Sequence, residues 1–191
     1  MVKNNTGRKA NVLMDELGYS KNDAGLYCIL PFANLEGKGD KRRAAFKFGL
    51  ASNSLEHRID SYHTAYPTGV FIFAILSDIR VPPATRTRPK QTKKQWYLKA
   101  EEYLFSELKR LGADRYLSTA RVRQLTDERG GVSEFFDANI EQIREAFQST
   151  QRKYGGELQL FTPEDPGATD FNKANQQRMI SAKYKGIVPF Y

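Results

Sequence analysis

The residue pattern predicts an α+β fold, with a three-stranded antiparallel sheet in β-β-α-β-α order flanked by helices, then a C-terminal helix and an extended tail. Three observations carry the prediction. The run Gly25-Leu26-Tyr27-Cys28-Ile29-Leu30 is short, apolar and closed by Pro31, as a buried strand is. Ala45-Phe46-Lys47-Phe48-Gly49-Leu50 alternates faces, and Val70 to Leu76 is dense in β-branched and aromatic residues. Between the second and third of these runs, Leu55, Ile59 and Tyr62 recur at helical spacing behind Ser52 and Ser54, either of which can cap a helix.

The remaining segments are read in the same way. Val12, Leu13 and Leu17 predict a short amphipathic helix over 8–18 that stops at Gly18. Residues 33–43, with Gly37 and Gly39, form a polar turn joining the first two strands as a hairpin. The second strand is expected to expose Lys47 on the face opposite Phe46 and Phe48. Val81 to Gln95 holds Pro82, Pro83, Pro89 and five cations with no acidic residue, and reads as an exposed basic loop. Trp96 to Leu111 places Leu98, Tyr103, Leu104, Leu108 and Leu111 on one face before Gly112 and predicts a helix, in which Leu98 is expected to pack inward. Arg115-Tyr116-Leu117 reads as a short edge strand. Ser133 to about Tyr154, with Phe136, Ile140, Ile143 and Phe147 at helical spacing, reads as a second long helix capped by Ser133. The last 35 or so residues carry Pro163, Pro166 and Gly167 and no sustained period, so they read as an extended arm.

Composition narrows the function classes. Apolar residues are 40% of the chain and aromatic ones 12%, enough for a buried core. Thirty basic against 22 acidic residues give a net charge of +8 and a pI near 9.5, which suits a polyanion such as nucleic acid and equally an acidic protein. The single cysteine, Cys28, excludes an intrachain disulfide and a Cys-rich zinc site and reads as a small buried apolar residue. No run is long and apolar enough to span a bilayer, and Met1-Val2-Lys3-Asn4-Asn5 lacks the apolar run of a signal peptide. The expectation is an intracellular protein with no membrane role, cytoplasmic or nuclear, or packaged in a virus particle.

Gly25-Leu26-Tyr27, Lys47-Phe48-Gly49, a helix with Arg58 and Tyr62, Tyr66-Pro67, a strand, and a helix starting near Glu101 follow one another in order. Together they resemble the GIY-YIG nuclease superfamily over residues 24–112. The likeness is greatest to the branch of phages and large DNA viruses, whose second half-motif reads Lys-x-Gly. Leu55-Glu56-His57-Arg58 matches that branch's Leu-x-x-Arg, Tyr62 to Pro67 its tyrosine turn, and Glu101-Glu102-Tyr103-Leu104 its Glu-x-x-Leu helix. The interval from Tyr27 to Lys47 is about twice that of compact members, so Phe32 to Ala44 reads as an insertion. The division implied is an N-terminal extension over 1–23, a nuclease domain over 24–112, a helical extension over 113–155 and a tail over 156–191.

The resemblance implies a metal-dependent endonuclease acting on DNA. Tyr27 is then the general base, which requires a phenol with an ordinary pKa near 10 to be lowered by neighbouring cations. Lys47 supplies positive charge beside it. Arg58 and Tyr62 share a helix face and converge on one phosphate, for which a guanidinium's planar fork is suited. Glu101 holds one Mg²⁺ or Mn²⁺. Glu102 is its rival, and helical phase favours Glu101 because it lies with Leu104, Phe105 and Leu108. His57 and His63 read as phosphate contacts or surface residues. Lys38, Lys41, Arg42 and Arg43 of the turn, with Arg86, Arg88, Lys90, Lys93 and Lys94 of the basic loop, flank the site along the nucleic-acid backbone. The alternative is a catalytically silent protein that keeps the fold for binding or assembly, such as a minor virion or capsid component, with the C-terminal tail as a protein-binding element.

Overall fold

Residues 17–19, 23–31, 44–66, 70–85, 91–115, 134–161 and 169–170 are described by the structure, a computed structural model of the chain. The predicted helix over 8–18, apart from its last two residues, lies outside them. So do the turn of 33–43 and the central part of the basic loop.

The three predicted strands are present as β1 (Gly25–Pro31), β2 (Ala44–Ala51) and β3 (Val70–Ser77). Helix α1 (Leu55–Ala65) joins β2 to β3, with Ser54 as its cap accepting from the His57 N–H at 3.1 Å. Every residue of β1 and β3 is buried, as expected of strands covered on both faces. β1 pairs antiparallel with β2 and with β3, so Tyr27 stands opposite Gly49 and Ile29 opposite Lys47.

Helix α2 (Lys93–Arg110) begins three residues earlier than expected. Thr92 and Gln95 form a reciprocal capping box, which draws Lys93 and Lys94 out of the predicted basic loop and into the first turn of the helix. Of the edge strand expected over 115–117, Arg115 belongs to β4 (Asp114–Arg115), and Tyr116 and Leu117 lie outside the described residues.

The second long helix is shorter than expected, and its first part is a strand. Phe135–Ala138 form β5, paired antiparallel with Ala44 to Lys47 of β2, and helix α3 runs only over Ile140–Tyr154. Asn139, not Ser133, caps it, in a second capping box with Gln142. Phe136 and Ile140 are four apart, a helical spacing, but Phe136 and Ala138 face inward at the period of two that a strand requires.

The extended arm also contains strands. Gly155 and Gly156, both at positive φ, turn the chain out of α3 into β6 (Glu157–Leu160), which pairs with Ala74 to Ser77 of β3. β7 (Thr169–Asp170) pairs with Val70 and Phe71. The fold is therefore α+β as predicted, but among the described residues the antiparallel sheet has seven strands rather than three, in the order β4-β5-β2-β1-β3-β6 with β7 also on β3. β5 and β6 thus share one sheet with β1, β2 and β3.

Alternation places Tyr27 and Phe48 on opposite faces of this sheet, because Phe48 pairs with the next residue, Cys28. Helix α1 covers the Tyr27 face through Tyr62. Helices α2 and α3 cover the other, where Phe48 packs edge-on against Phe136 and stacks on Phe147, and Phe105 of α2 meets Phe136. Complete burial of each of these phenylalanines of β2, β5 and α3 stabilises the fold by about 1.5–3 kcal/mol. Gln142 Nε2 donates to the Leu111 carbonyl at 2.8 Å and ties α3 to the end of α2.

Candidate functional site

Tyr27 is the centre of the arrangement. It is fully buried, and its ring lies across β2 at Gly49, where a Cβ would come within 2.6 Å of Tyr27 Cζ. Only a residue without a side chain leaves that space, which gives the glycine of the Lys-x-Gly half-motif a physical cause. Tyr27 Oη lies 2.5 Å from Tyr62 Oη, with either atom able to donate. Arg58 Nε donates to the same Tyr27 oxygen at 3.2 Å. Arg58 and Tyr62 are four apart on α1, so one turn of helix brings a guanidinium and a phenol to one oxygen on the neighbouring strand. The Arg58 guanidinium carbon also lies 5.8 Å from the centre of the Tyr62 ring.

The electrostatics of the two tyrosines run against the sequence expectation. Burial pushes the Tyr27 phenol above its ordinary value, and the hydrogen bonds from Tyr62 and Arg58 counter this only in part. Tyr62 is pushed up further by its own burial and by Tyr27 beside it. Neighbouring cations were expected to lower Tyr27, but desolvation outweighs them. Arg58, by contrast, is held more firmly in its charged form by the bond to Tyr27.

Lys47 is also placed differently from the expectation. It is on the face opposite Phe46 and Phe48, as predicted, but only 9% exposed. Its ammonium lies 5.5 Å from the centre of the Tyr62 ring and 5.2 Å from that of Phe135, and is ion-paired with Glu134. Tyr62 of α1 covers Lys47 from above, and pairing of β5 alongside β2 adds Phe135 and Glu134 beside it, which local alternation does not report.

Glu101, on α2, is partly buried, whereas Glu102 is exposed, in line with the helical phase argument. Desolvation and the neighbouring charge of Glu134 raise the Glu101 carboxyl to about 7, while Arg58, Lys47 and Arg115 pull it back. Glu101 is thus within electrostatic reach of the cations that meet at the tyrosines. A carboxylate is the hard oxygen donor that a divalent cation takes, and among the described residues Glu101 is not gathered with two or more further His, Cys, Asp or Glu side chains.

Two residues of this cluster had no local signal in the sequence. Glu134 immediately precedes β5, and its carbonyl accepts from the Phe48 N–H at 2.9 Å. Arg115 on β4 lays its guanidinium carbon 4.7 Å from the Phe105 ring centre and 5.3 Å from that of Phe136. The sheet register alone brings both near β2.

The other predicted contacts are more scattered. His57 is exposed beside Arg58, on an open depression of about 370 Å³ that also presents Ser52, Asn53, Ser54 and Ser61. His63 belongs to α1, and its side chain lies outside the described set. Lys93 places its ammonium 5.6 Å from the Tyr97 ring centre and lines a separate cavity of about 290 Å³ with Asp23, Asp78 and Glu157. Lys94 is exposed on α2. Lys38, Lys41, Arg42, Arg43, Arg86, Arg88 and Lys90 lie outside the described residues. Among the described residues no helix is long and apolar enough to cross a membrane. Comparison of the chain with protein-family models, with curated proteins and with solved structures gives no match.

Proposed function

We propose that this chain is a metal-dependent endonuclease that hydrolyses DNA phosphodiester bonds at the Tyr27 cluster. The observation that carries the reading is the convergence of Tyr62 Oη and Arg58 Nε on the Tyr27 hydroxyl from a separate element. Lys47 and Glu101 stand near enough to feel the same charges. Hydrolysis joins a water oxygen to phosphorus and breaks the bond from phosphorus to a sugar oxygen. Arg58 binds and orients the phosphate through its non-bridging oxygens, with Lys47 as a second cation. Tyr27, once it has lost its own proton to solvent, takes the proton of the attacking water; Tyr62 donates its hydroxyl hydrogen to that phenolate, and solvent water protonates the departing sugar oxygen. Glu101 would hold one Mg²⁺ or Mn²⁺, which supplies Lewis-acid stabilisation of the leaving oxygen. The hydroxyl-lined depression beside Arg58 offers a path for the strand next to the scissile phosphate.

The raised pKa of both phenols favours one second reading, a catalytically silent binding or assembly protein. Nicking of supercoiled plasmid in Mg²⁺ or Mn²⁺ separates the two. The nuclease reading expects wild-type cleavage that rises with pH and is abolished in both Tyr27→Phe and Glu101→Ala. If the folded wild type leaves duplex, branched and single-stranded DNA intact, or either variant cuts as well as wild type, the reading fails.

A further inference from the structure

We propose that Glu134, supplied by the second half of the chain, is the positioning residue for Lys47. It holds the Lys47 ammonium against the tyrosine pair as a second phosphate-binding cation. The proposal rests on the nuclease reading for its consequence in catalysis, but not for the positioning itself.

The backbone fixes Glu134 in place. Lys47 and Phe135 are partners in the β2–β5 ladder, and the Glu134 carbonyl is bonded to the N–H of Phe48, the residue after Lys47. The Glu134 carboxylate is ion-paired with Lys47 Nζ. The exposures give the pair a direction. The Lys47 side chain is 11% exposed and that of Glu134 40%, so the carboxylate reaches in from the rim and the ammonium points toward the interior. There it meets the rings of Tyr62 and Phe135.

A largely desolvated ammonium requires an anion, and a four-carbon stem has many rotamers to choose from without one. Removing the carboxylate therefore releases the ammonium outward, away from Tyr62. An ammonium has three donors, so it can hold Glu134 and a phosphate oxygen at once. Glu134 also lends negative charge to Glu101, so the part of its effect that passes through Lys47 is the part that vanishes where Lys47 has no charge.

The experiment compares wild type, Glu134→Gln, Glu134→Asp, Lys47→Met and the Lys47→Met/Glu134→Gln double variant. Gln keeps the shape and the backbone pairing, and unchanged melting of each variant within a few degrees establishes that the fold is intact. The first readout needs no activity: the ¹⁵Nζ–¹H correlation of the Lys47 ammonium by NMR, assigned by its loss in Lys47→Met. It is expected to be resolved in wild type, shifted or exchange-broadened in Glu134→Gln and largely retained in Glu134→Asp.

The second readout is plasmid cleavage. With the ammonium about 1 Å or more out of place, kcat is expected to fall about 100-fold in Glu134→Gln with KM little changed. Glu134→Asp should recover part of the loss, and Glu134→Gln should cost far less on the Lys47→Met background than on wild type. A Lys47 signal unmoved by Glu134→Gln overturns the proposal whatever the activity. A signal that moves while kcat stays at the wild-type value, or losses that add in the double variant, overturns the catalytic consequence. A wild type that cuts no DNA sinks the nuclease reading, and a Lys47 signal that moves with Glu134→Gln in that protein still upholds the positioning.

Discussion

Gly49→Ala tests how closely the site is packed. The new Cβ would sit 2.6 Å from Tyr27 Cζ, against the 3.4–4 Å of ordinary van der Waals contact. About 1 Å of movement is therefore needed, from a ring that is fully buried in a dense interior. Over-packing of this kind costs about 1–3 kcal/mol. Displacing the phenol also stretches its bonds to Tyr62 and Arg58, each worth about 0.5–1.5 kcal/mol net. For a chain of this size each kcal/mol lowers the melting temperature by about 2–4 °C. The assay is thermal unfolding followed by circular dichroism, run as a cycle with Tyr27→Ala. Removing the ring removes the clash, so Gly49→Ala should destabilise the wild type by at least about 1 kcal/mol more than it destabilises Tyr27→Ala. Equal costs in the two backgrounds would mean that Tyr27 does not lie across Gly49, and the geometry of the site would be wrong at its centre.

Glu101 carries a pH signature. Its carboxyl is raised to about 7 from an ordinary 4.5, so the folded state holds the proton more tightly than the unfolded state. Its contribution to stability is full below about pH 4.5, falls as pH rises toward 7, and stays lost above that. Thermal melts in metal-free buffer should therefore show Glu101→Gln equal to wild type near pH 4 and more stable at pH 8; a variant less stable than wild type at pH 8 would contradict the assignment. Phe136→Ala removes a fully buried ring that meets Phe48 and Phe105, and should cost about 3–5 kcal/mol in urea unfolding, whereas a residue on an exposed helical face would cost little.

What the sequence reveals about this fold follows the range of the interactions involved. Strands β1 and β3 are legible because both are buried on two faces and read as unbroken apolar runs. Arg58 and Tyr62 are legible as a pair because one helical turn is a local relation. Glu101 is separated from Glu102 by helical phase alone, and their exposures follow it. The misread start of α2 is a local matter of capping, and the larger errors are at non-local pairings. Phe135–Ala138 are a strand because Ala44 to Lys47 lie beside them, and nothing within four residues of Phe136 reports that. β6 spans four residues, too few for alternation to stand out from an irregular arm. Lys47 looks solvated on its own strand and is buried by Tyr62 of α1 and by another strand. Glu134 was invisible for the same reason, since only the sheet register puts it beside Lys47.

The Lys47–Glu134 pair spans 87 positions of chain, and β3 waits as long for β6. During synthesis from the N-terminus, Tyr27, Arg58, Tyr62 and Glu101 are all joined to the chain before Glu134. Ladders that join such distant segments form slowly, because loop closure must precede any gain from pairing. A partly made chain thus carries the tyrosines and the arginine without the carboxylate that steadies its lysine, and the cluster reaches its final arrangement only once the chain has grown past β5.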